Sequence, residues 1–182
     1  MKIYIMAPNA DNYRWLEYCD NKWFDFFYSL LDSKPIGLFD GRIKCRMIPE
    51  KNNQTLGDYP NFSVPALSEK SENLLRAYFG NLVEIFPLET GKLGKFFFMN
   101  VINILDCLDE EKSNIDFLNP NKYMMINSYT FKEFSDQDLL KIFKLRKNER
   151  GEIYVSEQTK TLIEKSGLEG FKFTQVGDIT IV

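Results

Sequence analysis

The chain has 182 residues, 44% hydrophobic and 15% aromatic, with a formal net charge of −3. That is ample apolar material for a core without staples. The mild acidity, with a pI near 5.2, lacks the basic excess of a nucleic-acid binder while permitting a basic partner.

Lys2 to Met6 alternates and leads into the turn residues of "APNAD", so an opening strand is predicted. The one lysine before five mainly apolar residues is too short a pattern for a secretory signal. "NKWFDFFYSLLDSKPIG" places Trp23, Phe27 and Leu30/Leu31 at helical spacing, and Pro35 and Gly37 are read as its stop. This stretch is apolar nearly all round, which leaves part of it for the surface or for a partner. "GRIKCRMIPE" alternates Ile43, Cys45 and Met47 and reads as a strand. The polar residues 50–63 read as a loop.

Val64 to Leu67 is predicted extended, and Ser68 is the expected N-cap of a helix with Leu74, Leu75 and Tyr78 on one face. Glu69 sits where the helix dipole favours an anion. Gly80 and Asn81 end that helix in a left-handed cap, and Leu82 to Phe86 resumes as a strand. Lys95 to Leu108 is predicted extended with one turn inside. "DEEKSN" reads as a charged loop or a short helical turn, "DFLNPNK" as a loop and "YMMINSYTFKEF" as a strand. Ser135 is the expected cap of one helical turn, after which "KIFKLR" and "EIYV" flank "KNERG" as a hairpin. The close, "IYVSEQTKTLIEKSGLEGFKF", reads as strand, cap, helix, turn, strand.

That last phrase occurs twice. Ser68-Glu69 and Ser156-Glu157 lie 88 positions apart, and at the same offset Leu74-Leu75 matches Leu162-Ile163 while Val83 and Ile85 match Phe171 and Phe173. The chain therefore holds two similarly built strand–helix–strand units, each long enough for a crossover connection. The predicted architecture is α+β, a mixed sheet with two or three short helices. It forms a single domain over 1–182, with residues 1–50 as a looser N-terminal lobe.

Catalytic signals are few. With no histidine anywhere, Ser-His-Asp and Cys-His catalysis and histidine-ligated metals are excluded. "GKLGK" has neither the spacing nor the Ser/Thr of a phosphate-cradling loop. Cys19, Cys45 and Cys107 are scattered, which fits neither a disulfide framework nor a zinc site and suits a reducing cytoplasm. No run approaches the roughly 20 apolar residues that span a bilayer. "DCLDEEKSNID" brings Asp106, Asp109, Glu110, Glu111 and Asp116 together. Such carboxylates serve as acid and base, as ligands of a hard cation, or as a solvated face that meets a basic partner. The spacing does not fit a calcium loop. No catalytic, cofactor or metal residue is assigned. The partner-contact candidates are Asp109, Glu110, Glu111, Trp23 and Phe27.

The C-terminal half carries a resemblance. Leu108-Asp109 to Ser113, Ile142-Phe143, Ile153 to Glu157, Leu162-Ile163, and Gly167-Leu168 with Gly170 and Phe173 resemble a bacterial family. That family was first catalogued as a domain of unknown function and later described as an immunity protein family of polymorphic toxin systems, immunity family 11. Asp58 to Pro60 and "LSEKSENLL" are similar to it as well, so the resemblance covers roughly 55–175. It implies a small cytoplasmic α+β protein that binds and neutralises a secreted toxin encoded beside it, and it supplies no catalytic residues. Two other readings stay open: an enzyme using the carboxylates of 106–116, with or without a divalent cation, and an adaptor subunit of a secretion-associated complex.

Overall fold

A computed structural model describes residues 1–39, 41–48 and 55–182. Within them the chain is α+β, but its strands divide among several small sheets. In chain order these are β1 (Lys2–Pro8), β2 (Leu16–Tyr18), β3 (Cys45–Met47), β4 (Ala66–Ser68), β5 (Val83–Leu88), β6 (Phe96–Val101), β7 (Ile104–Leu105), β8 (Asn114–Asn119), β9 (Lys122–Ser128), β10 (Lys144–Leu145), β11 (Tyr154–Ser156) and β12 (Phe171–Asp178). The helices are α1 (Phe24–Leu30), α2 (Glu69–Phe79) and α3 (Glu157–Lys165).

Both repeated phrases form the unit predicted for them. The Ser68 hydroxyl accepts from Ser71 N–H at the start of α2, and the Ser156 hydroxyl accepts from Thr159 N–H at the start of α3. Each cap satisfies an amide that the first helical turn leaves free. Gly80 ends α2 with φ 55° and ψ −127°, a positive-φ conformation open to glycine but not the left-handed helical cap expected of Gly80 and Asn81. In both units the two flanking strands run the same way but do not touch. An antiparallel strand lies between them, giving the orders β4-β6-β5 and β11-β1-β12.

The likeness extends to the register. Ser68 faces Phe96 as Ser156 faces Ile3, and Ile85 faces Met99 as Phe173 faces Met6. The Met99 amide donates to Pro65 O at 2.8 Å, and the equivalent Met6 amide donates to Ile153 O at 2.8 Å. Lys95 pairs with Glu69 as Lys2 pairs with Glu157. The central strand of the first unit follows it in the chain. That of the second comes from residues 2–8, so the N-terminus is built into a sheet otherwise made of residues 154–178.

The units share one core, in which Met6, Leu67, Leu75, Met99, Val155 and Ile163 are buried together. Asp58 ties them at one end. Its carboxylate accepts from Ser68 Oγ (2.5 Å) and from Glu169 N–H (2.9 Å), and its amide donates to Glu169 O (2.8 Å). Next to it Tyr59 stacks on Phe171 with ring centroids 4.5 Å apart. Gly170, at φ 88°, brings its backbone against this segment, where an added Cβ would lie 3.3 Å from Tyr59 N. The "DYP" segment, the first serine cap and the closing glycines are thus parts of one junction.

Elsewhere the structure corrects several expectations. The helix predicted to run to Pro35 ends at Leu30, because Ser33 turns left-handed at φ 57°. Of the strand predicted over 41–50, Cys45–Met47 forms. Its residues 49–50, and 50–54 of the predicted polar loop, lie outside the described residues. "DFLNPNK", read as a loop, lies largely in β8, because it finds a partner in β9. The short turn at Gln137–Lys141 is 3₁₀ and is capped by Asp136 rather than Ser135. The expected hairpin around "KNERG" reduces to a single bridge, Phe143 to Tyr154, since β10 instead runs parallel to β7.

Candidate interaction surface

The acidic turn precedes β8, and its side chains are largely engaged. Asp109 accepts from the amides of Glu111 (3.2 Å) and Lys112 (3.3 Å) and pairs with Lys112 Nζ at 3.0 Å. Glu110 accepts from Tyr123 OH at 2.7 Å and pairs with Lys147 at 2.7 Å. Asp106 pairs with Lys132 at 2.9 Å. The hydrogen bonds from Lys112, Lys147 and Lys132 hold Asp109, Glu110 and Asp106, respectively, below the usual carboxylate range. A carboxyl acting as a general acid needs the opposite shift. Glu111 is exposed and has no ion pair among the described residues, and exposed Asp116 accepts from Asn127 Nδ2 at 3.1 Å. Among the described residues no group of three His, Cys, Asp or Glu side chains is placed to hold a metal.

The turn leads into a two-stranded ribbon. In β8–β9, Ile115 faces Ile126 and Phe117 faces Tyr123, with register shifts along the ribbon. Ile115, Tyr123 and Ile126 pack onto a core that also holds Leu105, Leu108, Phe143 and Tyr154. The ribbon also carries four exposed apolar side chains, Phe117 (45%), Leu118 (59%), Met124 (64%) and Met125 (53%). Exposed apolar side chains are material for contact with another surface, and methionine suits this because its unbranched thioether adapts to irregular shapes. The sequence reading missed this surface. Its one signal was the pairing of "DFL" with "YMM" across "NPNK", a turn bounded by two apolar runs.

The aromatic segment divides differently. Phe27 is 2% exposed and packs against Phe26, Phe62 and Phe98. It is a core residue and offers no surface to a partner. Trp23 is half-buried, edge-on to Phe26 and Phe39. The exposed face of α1 belongs to Phe24 and Tyr28, stacked at 6.0 Å, with the Arg150 guanidinium 4.4 Å from the Tyr28 ring. Cys19 is exposed. Burial pushes the Cys45 and Cys107 thiols up to about 12, far from the thiolate a nucleophile needs.

Two linked strand–helix–strand units, an acidic turn and a two-stranded ribbon with exposed apolar side chains make up a small α+β protein. The model of the Imm11 immunity protein family matches residues 83–178, just over half of the chain, and the chain belongs to that family. The acidic turn and the ribbon lie inside the matched residues, whereas α1 and the "DYP" segment lie outside them. None of the curated proteins searched matches the chain. Among the described residues no helix is long and apolar enough to cross a membrane.

Proposed function

We propose that this protein is a cytoplasmic immunity factor. It binds a cognate protein toxin encoded next to it and neutralises that toxin stoichiometrically, without catalysis. The observation that carries this reading is membership of the immunity family over residues 83–178. We read the contact surface as the ribbon β8–β9 with Asp109, Glu110 and Glu111 at its base. The apolar side chains supply area to bury, and the exposed Glu111 orients a basic partner. Trp23 stands as a second contact candidate. The whole chain acts as one folding unit in this reading, because its first strand completes a sheet of its last two.

The test is co-expression with the product of the adjacent gene. Wild-type protein should restore growth and elute with the toxin as a 1:1 complex. Met124→Asp with Met125→Asp should weaken binding by about 2 kcal/mol or more, on the scale of buried interface anchors, without lowering the melting temperature. No complex and no rescue with the wild type would refute the functional reading. Full rescue by the double variant would refute the choice of surface alone.

A further inference from the structure

Lys144, on β10, is buried at 5% exposure, yet no carboxylate lies within ion-pair distance of it among the described residues. Its Nζ donates to Glu149 O at 2.7 Å and to Leu31 O at 3.3 Å. An ammonium has three N–H groups, so one is left without an acceptor among the described residues. The acidic groups that act on it through space, Asp32 and Glu149, are already committed. Asp32 is held by Arg150 at 2.6 Å, and Glu149 Oε1 accepts from Lys147 N–H at 3.1 Å. A buried cation normally has an anion beside it, since desolvation without a counter-charge is costly.

Lys144 lines a cavity of about 160 Å³, together with Leu31, Tyr59, Phe62, Ser63 and Ile153. One water needs about 10–15 Å³ of such space, so the cavity has room for several waters or for a compact organic anion. Most of these walls are apolar. Glu152 also lines the cavity, and with Asp32 and Glu149 nearby it disfavours a polyanion. A single negative charge on an apolar body fits this combination.

We propose that this cavity binds one carboxylate, with Lys144 as its counter-ion. The carboxylate is either that of a small apolar acid or the side chain of an Asp or Glu presented by a docked protein. This inference does not rest on the immunity reading. The experiment follows the Lys144 side chain by NMR through a pH titration of the full chain, alone and with three probes. The probes are isovalerate, its neutral analogue isovaleramide, and a capped tripeptide with a central Asp.

A carboxylate in the cavity should raise the Lys144 titration from about 8 toward 10.5 and increase the melting temperature saturably. The amide should do neither. The thermal response should be lost in Lys144→Met. Both responses should be weakened in Ser63→Trp, which obstructs the exposed mouth while keeping the lysine, so the test survives if the first variant misfolds. A response to isovalerate alone assigns the site to small acids. A stronger response to the tripeptide assigns it to a protein side chain. The proposal is overturned if the Lys144 titration is unmoved by either carboxylate, moves equally with the amide, or responds in Ser63→Trp as in the wild type.

Discussion

Lys144 shows how a single residue escapes a sequence reading. In "KIFKLR" it is one of two lysines of a predicted hairpin, with nothing to mark it as buried. The tertiary structure encloses it, and burial draws its pKa down to about 8 against 10.5 when solvated, outweighing the pull of Glu149 and Asp32. Between those two values the folded chain binds fewer protons than the unfolded one, so this group makes stability rise with pH and removes that gain as pH falls through 8. The whole gap corresponds to about 3 kcal/mol. Cys45 and Cys107 act in the opposite sense, because their raised thiols stay protonated in the folded state while those of the unfolded chain ionise above about 9. The clean measurement is therefore a difference. The stability of the wild type relative to Lys144→Met should rise by about 1 kcal/mol between roughly pH 7.5 and 9, by urea denaturation. A flat difference would mean that Lys144 remains solvated in the folded state. The other residue-scale lesson is Phe27, legible as aromatic and helical but not as buried. Its neighbours Phe62 and Phe98 lie far along the chain.

At the scale of elements, the helices with capped starts were the most legible. Ser68 and Ser156 satisfy amides within three residues of themselves, so a local pattern suffices to find them. The ribbon was legible only in part, because β8 owes its extended form to β9 and its polar residues resemble a loop. The two caps also differ in one testable way. Both accept from the helix, but only Ser68 donates to a carboxylate, that of Asp58 at 2.5 Å. Ser156→Ala should cost about 1 kcal/mol, the usual value for a lost cap. Ser68→Ala should cost about 2 kcal/mol, since it also breaks a hydrogen bond to a charged group and loosens the junction with Glu169. Equal losses in denaturant titrations would show that Asp58 contributes nothing through this bond.

For the whole molecule, the decisive feature is that chain order and spatial order part company. The family match begins at Val83, but neither three-stranded sheet is complete within it. The first needs β4 and is covered by α2. The second needs β1 as its central strand, without which β11 and β12 have no common partner. A fragment of residues 83–178 should therefore show no cooperative thermal transition by circular dichroism, whereas the full chain should unfold as one unit. A cooperative transition in the fragment would mean that β11 and β12 can rearrange to pair without β1.

What the sequence by itself determined is what local chemistry carries: the α+β class, the two capped strand–helix–strand units, the scattered thiols, and the family to which the closing segment points. What only the tertiary structure decided depends on partners far apart in the chain. It set an antiparallel strand between the flanking strands of each unit, one of them drawn from the N-terminus. It joined the units through Asp58 and Gly170, exposed the ribbon's apolar side chains, and enclosed Lys144 beside a cavity. Hydrogen-bonding period and capping are fixed within a few residues. Burial and sheet order are settled by which distant surfaces meet.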